Sequence, residues 1–202
     1  MSGGHRVNRQ AAGAVCALLL LAVVSWPAVA DESRRLTTIL LVARDGLVDS
    51  NFAGSAVLVM NHIADGPVGV IINRPTPMSV AKLFPDQKRL ATIQDKVYFG
   101  GPVEFGAVWF LFRAAKPPAR AVQALEDVYL SGDRDLLLRL LRREKPMENL
   151  RIFVGHAGWA PGQLEAEIGR GDWTLEHAES GAVFKPEAEH PWPSPREPEV
   201  SI

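Results

Sequence analysis

Apolar positions in this chain come in short, nearly unbroken runs separated by clusters of Gly, Pro, Asp and Asn. Short runs rich in Val, Ile and aromatic residues predict buried strands. Residues 37–43 (TTILLVA), 55–61 (SAVLVMN), 68–73 (VGVIIN), 96–99, 107–112, 150–154 and 173–176 fit that pattern. The second and third runs are joined by Ala64-Asp65-Gly66-Pro67, a turn sequence that predicts a hairpin. Residues 44–52 hold Asp45, Gly46, Asp49 and Asn51 and predict a loop. Arg74-Pro75-Thr76-Pro77 should end the hairpin's second strand, because proline has no N–H for a ladder.

Helical signals are fewer and come later. Ser79 is placed to cap a short helix over 80–84. Asp133 is placed to cap a helix of about ten residues, with Leu136, Leu137, Leu140 and Leu141 on one face. Arg139, Arg142 and Arg143, with Lys145 beyond, read as its solvated face. Leu150 to Val154 feeds Gly155-His156-Ala157-Gly158-Trp159, which reads as a glycine-rich turn opening a helix from Pro161 to Ile168 with Gly169 as its cap. Strands paired early with helices inserted later predict an α+β fold without internal repeats.

The ends modify this picture. Arg6 and Arg9, an apolar run over 11–24 and Ala28-Val29-Ala30 have the order of a secretory signal cut after residue 30. The run is shorter than the ~20 residues that span a bilayer, so a cleaved signal is expected rather than an anchor. The expected location is therefore periplasmic or secreted. Residues 31–184 would form one domain, and residues 185–202, rich in Pro and Glu, a disordered or loosely attached tail in which Trp192 could still dock. The signal carries the only cysteine, Cys16, so disulfide and thiolate chemistry are excluded from the mature chain. It also carries Arg6 and Arg9 out of 22 basic residues against 23 acidic ones, leaving a formal charge of −3. A weakly acidic domain lacks the footprint of a nucleic-acid binder.

Candidate chemistry is sparse. No Gly-x-Ser-x-Gly, Walker loop, His-Glu-x-x-His or dinucleotide glycine pattern occurs, and no cofactor or metal is implied. His62, His156, His177 and His190 are far apart in sequence. The helix start after Gly158 and Trp159 leaves the N–H groups of Gly162, Gln163 and Leu164 without intrahelical partners. An anion or a partner side chain would satisfy them, unless the glycines serve only to pack Trp159. Asn73 and Arg74 end a strand, where the guanidinium could grip an anion or make a structural ion pair. His156 could act as acid or base, with Glu165 as its carboxylate, or be a hydrogen-bonded structural residue. Expected partners are a protein, a peptide or a small anionic ligand.

Four blocks carry a family resemblance. They are Leu40-Leu41-Val42-Ala43 with Asn51-Phe52 and Ser55-Ala56-Val57; Gly69-Val70-Ile71-Ile72-Asn73-Arg74-Pro75; Gly100-Gly101-Pro102-Val103; and Gly158-Trp159 through Pro161-Gly162-Gln163-Leu164-Glu165 to Trp173. In this order they resemble the AlgH (YqgE) family of bacterial proteins. The resemblance implies a compact α+β domain with a mixed, partly barrel-like sheet flanked by helices. It also brings the label of transcriptional regulator, which derives from a genetic link to alginate production. The chain departs from the family in its signal sequence and in a shorter, more proline-rich region after Trp173. An exported protein does not meet the chromosome, so a non-enzymatic binding protein of the cell envelope is the leading expectation. A regulator, or an unrecognised hydrolase or transferase, is the alternative.

Overall fold

The computed structural model describes residues 38–61, 63–64, 66–185 and 192. The signal sequence, and the tail apart from Lys185 and Trp192, lie outside the described residues. Ten strands and short helices follow one another as β1 (Thr38–Ala43), β2 (Ala56–Met60), β3 (Val68–Ile71), β4 (Pro75–Ser79), α1 (Val80–Leu83), β5 (Lys96–Phe99), β6 (Val103–Arg113), β7 (Val122–Gln123), β8 (Val128–Ser131), α2 (Arg134–Leu140), β9 (Leu150–Gly158), α3 (Gln163–Arg170), β10 (Trp173–Glu176) and α4 (Ser180–Val183). The main sheet runs β10-β1-β2-β3-β9-β6-β8-β7, with β5 parallel to β9 and β4 on the outside of β5. The result is the expected α+β fold, a mixed sheet curled into a half-barrel with a few helices.

Burial on both faces explains why the strands read as continuous apolar runs. Along β1 and β2, Leu40, Val42, Ala56, Leu58 and Met60 point into the barrel interior, while Leu41, Ala43, Val57 and Val59 pack beneath α3. On the other half, Leu111 and Phe153 face the interior, and Phe110, Phe112 and Ile152 pack against α2. Trp192 is 9% exposed and joins the interior layer with Ala178 and Val183, so the core includes a residue from beyond position 184. Arg151 is 6% exposed in the same region. It donates to the carbonyls of Ile72 at 2.9 Å and Lys185 at 2.7 Å and lies over the Tyr98 ring.

Several local expectations are corrected. Gly155-His156-Ala157-Gly158 is not a turn but the second half of β9. Gly155, with φ 69°, and Gly101, with φ 147°, cross so closely that a Cβ on Gly155 would lie 2.2 Å from the Gly101 carbonyl oxygen. There one edge of the strand exchanges β5 for β3, through Gly69 and Val68, while the pairing with β6 shifts register and continues to Val103 opposite His156. The helix expected from Pro161 begins at Gln163 and ends on Gly171 rather than Gly169, both flanking glycines being left-handed. Pro75-Thr76-Pro77 forms an edge strand in its own right, paired with β5 at Pro75 and Ser79 only, a position where proline costs no ladder bond. Helix α2 is seven residues rather than about ten, capped as expected by Asp133, which accepts from Leu136 N–H at 2.7 Å. Strands β7 and β8 add to the strands expected from the sequence. The hairpin β2–β3 and the Ser79 cap on α1 match expectation.

Candidate functional site

The residues selected from sequence fall into three places. Asn73 is 2% exposed and works inside the fold. Its Oδ1 accepts from Ala56 N–H at 2.8 Å, and its Nδ2 donates to the Gly54 carbonyl at 3.0 Å. Arg74 donates through Nη1 to the carbonyl of Asn51 at 2.6 Å and through Nη2 to that of Ala53 at 3.0 Å, with its guanidinium 5.6 Å from the Phe99 ring centre. Burial lowers its pKa from the ordinary arginine value, and nearby Asp49 offsets part of that effect. The pair is a clamp on the loop between β1 and β2, so the anion grip read at this strand end is a grip on backbone carbonyls instead.

His156 lies elsewhere on β9, edge-on to Trp109 with ring centres 5.6 Å apart. Its Nδ1 is 3.9 Å from the Glu104 carboxylate and makes no hydrogen bond among the described residues. The carboxylate beside His156 is thus Glu104. Glu165 is exposed on α3.

The third group builds a cleft of about 300 Å³ between the β1–β2 loop, the end of β9 and α3. Gly158, Trp159 and Gln163 line it, together with Asp49, Phe52, Glu167, Arg170, Asp172 and Trp173. Its wall is aromatic: Phe52 stacks on Trp159 with centroids at 6.0 Å, and Trp173 meets both rings edge-on. At its centre is Glu167. Oε2 accepts from the indole N–H of Trp159 at 2.9 Å and of Trp173 at 3.0 Å, and Oε1 accepts from Gln163 Nε2 at 2.9 Å. Burial by itself would raise this carboxyl's pKa. The hydrogen bonds from Trp173, Gln163 and Trp159, with help from Arg170, outweigh it and hold the group below the ordinary carboxylate value. A fixed, ionised carboxylate therefore sits between the two indoles that bind it.

Gln163 also closes the turn before α3, its Oε1 accepting from Ala160 N–H at 3.1 Å. Backbone N–H of Gln163 donates to the Ala160 carbonyl at 3.0 Å, so the helix start is less open than the sequence suggests. Gly162 supports the turn at φ 80°, and nothing lies within 4 Å of the place a Cβ would occupy. Sequence reasoning missed Glu167, although a signal was present. Two tryptophans flank one short helix, and a single glutamate lies one turn after Gln163 on the side that faces both.

A second groove, of about 590 Å³, runs between β4, α1 and the start of β6 and is more apolar, with Met78, Leu83, Phe105 and Val108 along it. None of the residues selected from sequence lines it.

Known proteins share this architecture and sequence. An AlgH-like family model matches residues 40–195. A UPF0301 protein of Anaeromyxobacter dehalogenans is 37% identical over 162 residues, covering 75% of this chain and 82% of the relative. A UPF0301 protein of Streptomyces avermitilis is 36% identical over 172 residues, covering 80% and 85%. The solution structure of the AlgH protein from Pseudomonas aeruginosa superposes with a TM-score of 0.63 at 27% identity, over 77% of this chain and 84% of that one. A crystal structure from Corynebacterium diphtheriae gives 0.59 at 26% identity, over 74% and 80%. The sequence blocks, the curled sheet and these matches agree, and the chain belongs to the AlgH-like family.

Proposed function

We propose that this protein is a non-enzymatic binding protein of the cell envelope that holds a peptide segment in the cleft between the β1–β2 loop and α3. The observation that carries the proposal is the preorganised cleft itself, with an aromatic wall from Phe52, Trp159 and Trp173 around the fixed carboxylate of Glu167. Apolar walls with a few oriented polar groups are what ligand sites present. The lining carries Asp49, Glu167 and Asp172 against Arg170 alone, a balance that repels a small anion and favours a peptide among the ligands considered. The envelope location rests on the basic, apolar and Ala-x-Ala order of residues 1–30.

Two measurements test this. Fractionation with N-terminal sequencing should recover the protein outside the cytoplasm beginning at Asp31; a cytoplasmic protein retaining residues 1–30 would sink the envelope assignment. A thermal-shift screen with peptides, nucleotides and sugar phosphates should find stabilisation by peptides. Phe52→Ala, which removes one ring of the cleft wall, should abolish that stabilisation, and Phe105→Ser in the second groove should leave it intact. Stabilisation lost with Phe105→Ser and kept with Phe52→Ala would move the site to the other groove.

A further inference from the structure

We infer that the cleft selects a cationic side chain, an arginine presented by an extended peptide; this rests on the binding function proposed above and names the chemistry of its ligand. Glu167 is the anchor. Three N–H groups hold its carboxylate in one orientation, and they leave one of its roughly four acceptor positions without a protein donor among the described residues. A carboxylate already oriented loses little freedom when a guanidinium arrives. Asp49 supplies a second negative charge from the opposite wall, its Oδ1 accepting from Asn51 N–H at 2.8 Å and its position set by the loop that Arg74 clamps.

Among the described residues, the arginines near the cleft do not fill this place. Arg170 is within electrostatic reach of Glu167, but it lies at the lip and donates to Asp172 at 2.7 Å. Arg74 is within reach of Asp49 and donates to the backbone behind the loop. Arg44 donates to Thr174 Oγ1 at 3.2 Å. The lining thus keeps an excess of negative charge beside the half-buried Phe52 ring, and a planar guanidinium satisfies both, pairing with the carboxylates at its edge and lying on that ring with its face. The volume of about 300 Å³ is at the lower end of the ~300–1,000 Å³ of ligand sites, which suits one or two side chains rather than a folded surface.

The test uses three capped pentapeptides, acetyl-GGRGG-amide and its counterparts with glutamine or glutamate at the centre. Each is titrated into the purified protein by calorimetry, with tryptophan fluorescence in parallel. The arginine peptide should bind saturably, the glutamine peptide about tenfold or more weakly, and the glutamate peptide not at all. Asp49→Asn keeps the acceptor for Asn51 and removes only charge; it should weaken the arginine peptide several-fold, and so should 0.5 M salt. Phe105→Ser should change nothing. Equal binding of the glutamate peptide, or arginine binding indifferent to both Asp49→Asn and salt, overturns the inference. If the neutral and acidic peptides perturb the tryptophans and the arginine peptide does not, the cleft remains a peptide site and only its charge preference falls. If no peptide binds, the site and its preference fall together.

Discussion

Glu167→Ala removes the group on which the cleft is built. The carboxylate accepts the indole N–H groups of Trp159 and Trp173, which are 6% and 3% exposed, so truncation strands two donors where little water reaches them. Gln163 is exposed and rehydrates at little cost. A buried donor left without a partner costs ~1–3 kcal/mol. Two of them, with some water entering the cleft, give a loss of about 3 kcal/mol, or roughly 6–12 °C in Tm for a domain of this size. Glu167→Gln keeps one acceptor oxygen for the indoles and should cost about 1 kcal/mol. Urea unfolding followed by near-ultraviolet circular dichroism checks both values, with the exposed Glu165→Ala as control.

The pH dependence follows in sign. The folded-state pKa of Glu167 is depressed. Its contribution is therefore complete above the unfolded carboxyl value of about 4.3 and is lost as pH falls through the folded value. The gap between wild type and Glu167→Ala should be constant from pH 6 to 8 and should narrow below about pH 4, as the part that depends on the charge is lost. A Glu167→Ala protein as stable as Glu165→Ala at pH 7 would refute the claim that this carboxylate holds the two indoles.

Three further outcomes follow from backbone geometry and from the clamp on the loop. Gly162→Ala should cost about 1 kcal/mol purely through its φ of 80°, whereas Gly158→Ala, with its nearest neighbour at 3.8 Å, should stay within about 0.5 kcal/mol in the same unfolding assay. Gly155→Ala should fail to yield soluble protein, since its Cβ would meet the Gly101 carbonyl at 2.2 Å; normal expression would contradict the crossing of β9 over the segment after β5. Arg74→Ala should remove about 1–2 kcal/mol and speed amide exchange at Phe52 and Ala53, and Arg74→Lys should rescue little, because an ammonium cannot bridge the carbonyls of Asn51 and Ala53.

Much of the fold was legible because local rules governed it. The β2–β3 hairpin, the caps at Ser79 and Asp133 and the buried strands all follow from residues near in sequence. What escaped depended on distant partners. Gly155 to Gly158 look like a turn, since glycine usually signals one. Here they let two backbones touch, a need set by Gly101 some fifty residues away. Pro161 suits a first helical position, yet the left-handed Gly162 delays the helix to Gln163. Asn73 and Arg74 carried the right chemistry, multidentate hydrogen bonding, toward an internal target. At the site, Trp159 and Gln163 were found because the turn advertised them, while Glu167 and Asp49 were hidden among ordinary surface acids until the fold brought them together.

The indole N–H resonances test the central claim most directly. In a nitrogen-correlated spectrum of the protein titrated with acetyl-GGRGG-amide, the indole signals of Trp159 and Trp173 should move together and saturate on one binding curve, while Trp109 and Trp192 stay in place. Shifts confined to Trp109, or a titration in which the two indoles bound to Glu167 never move, would contradict a binding cleft at this site.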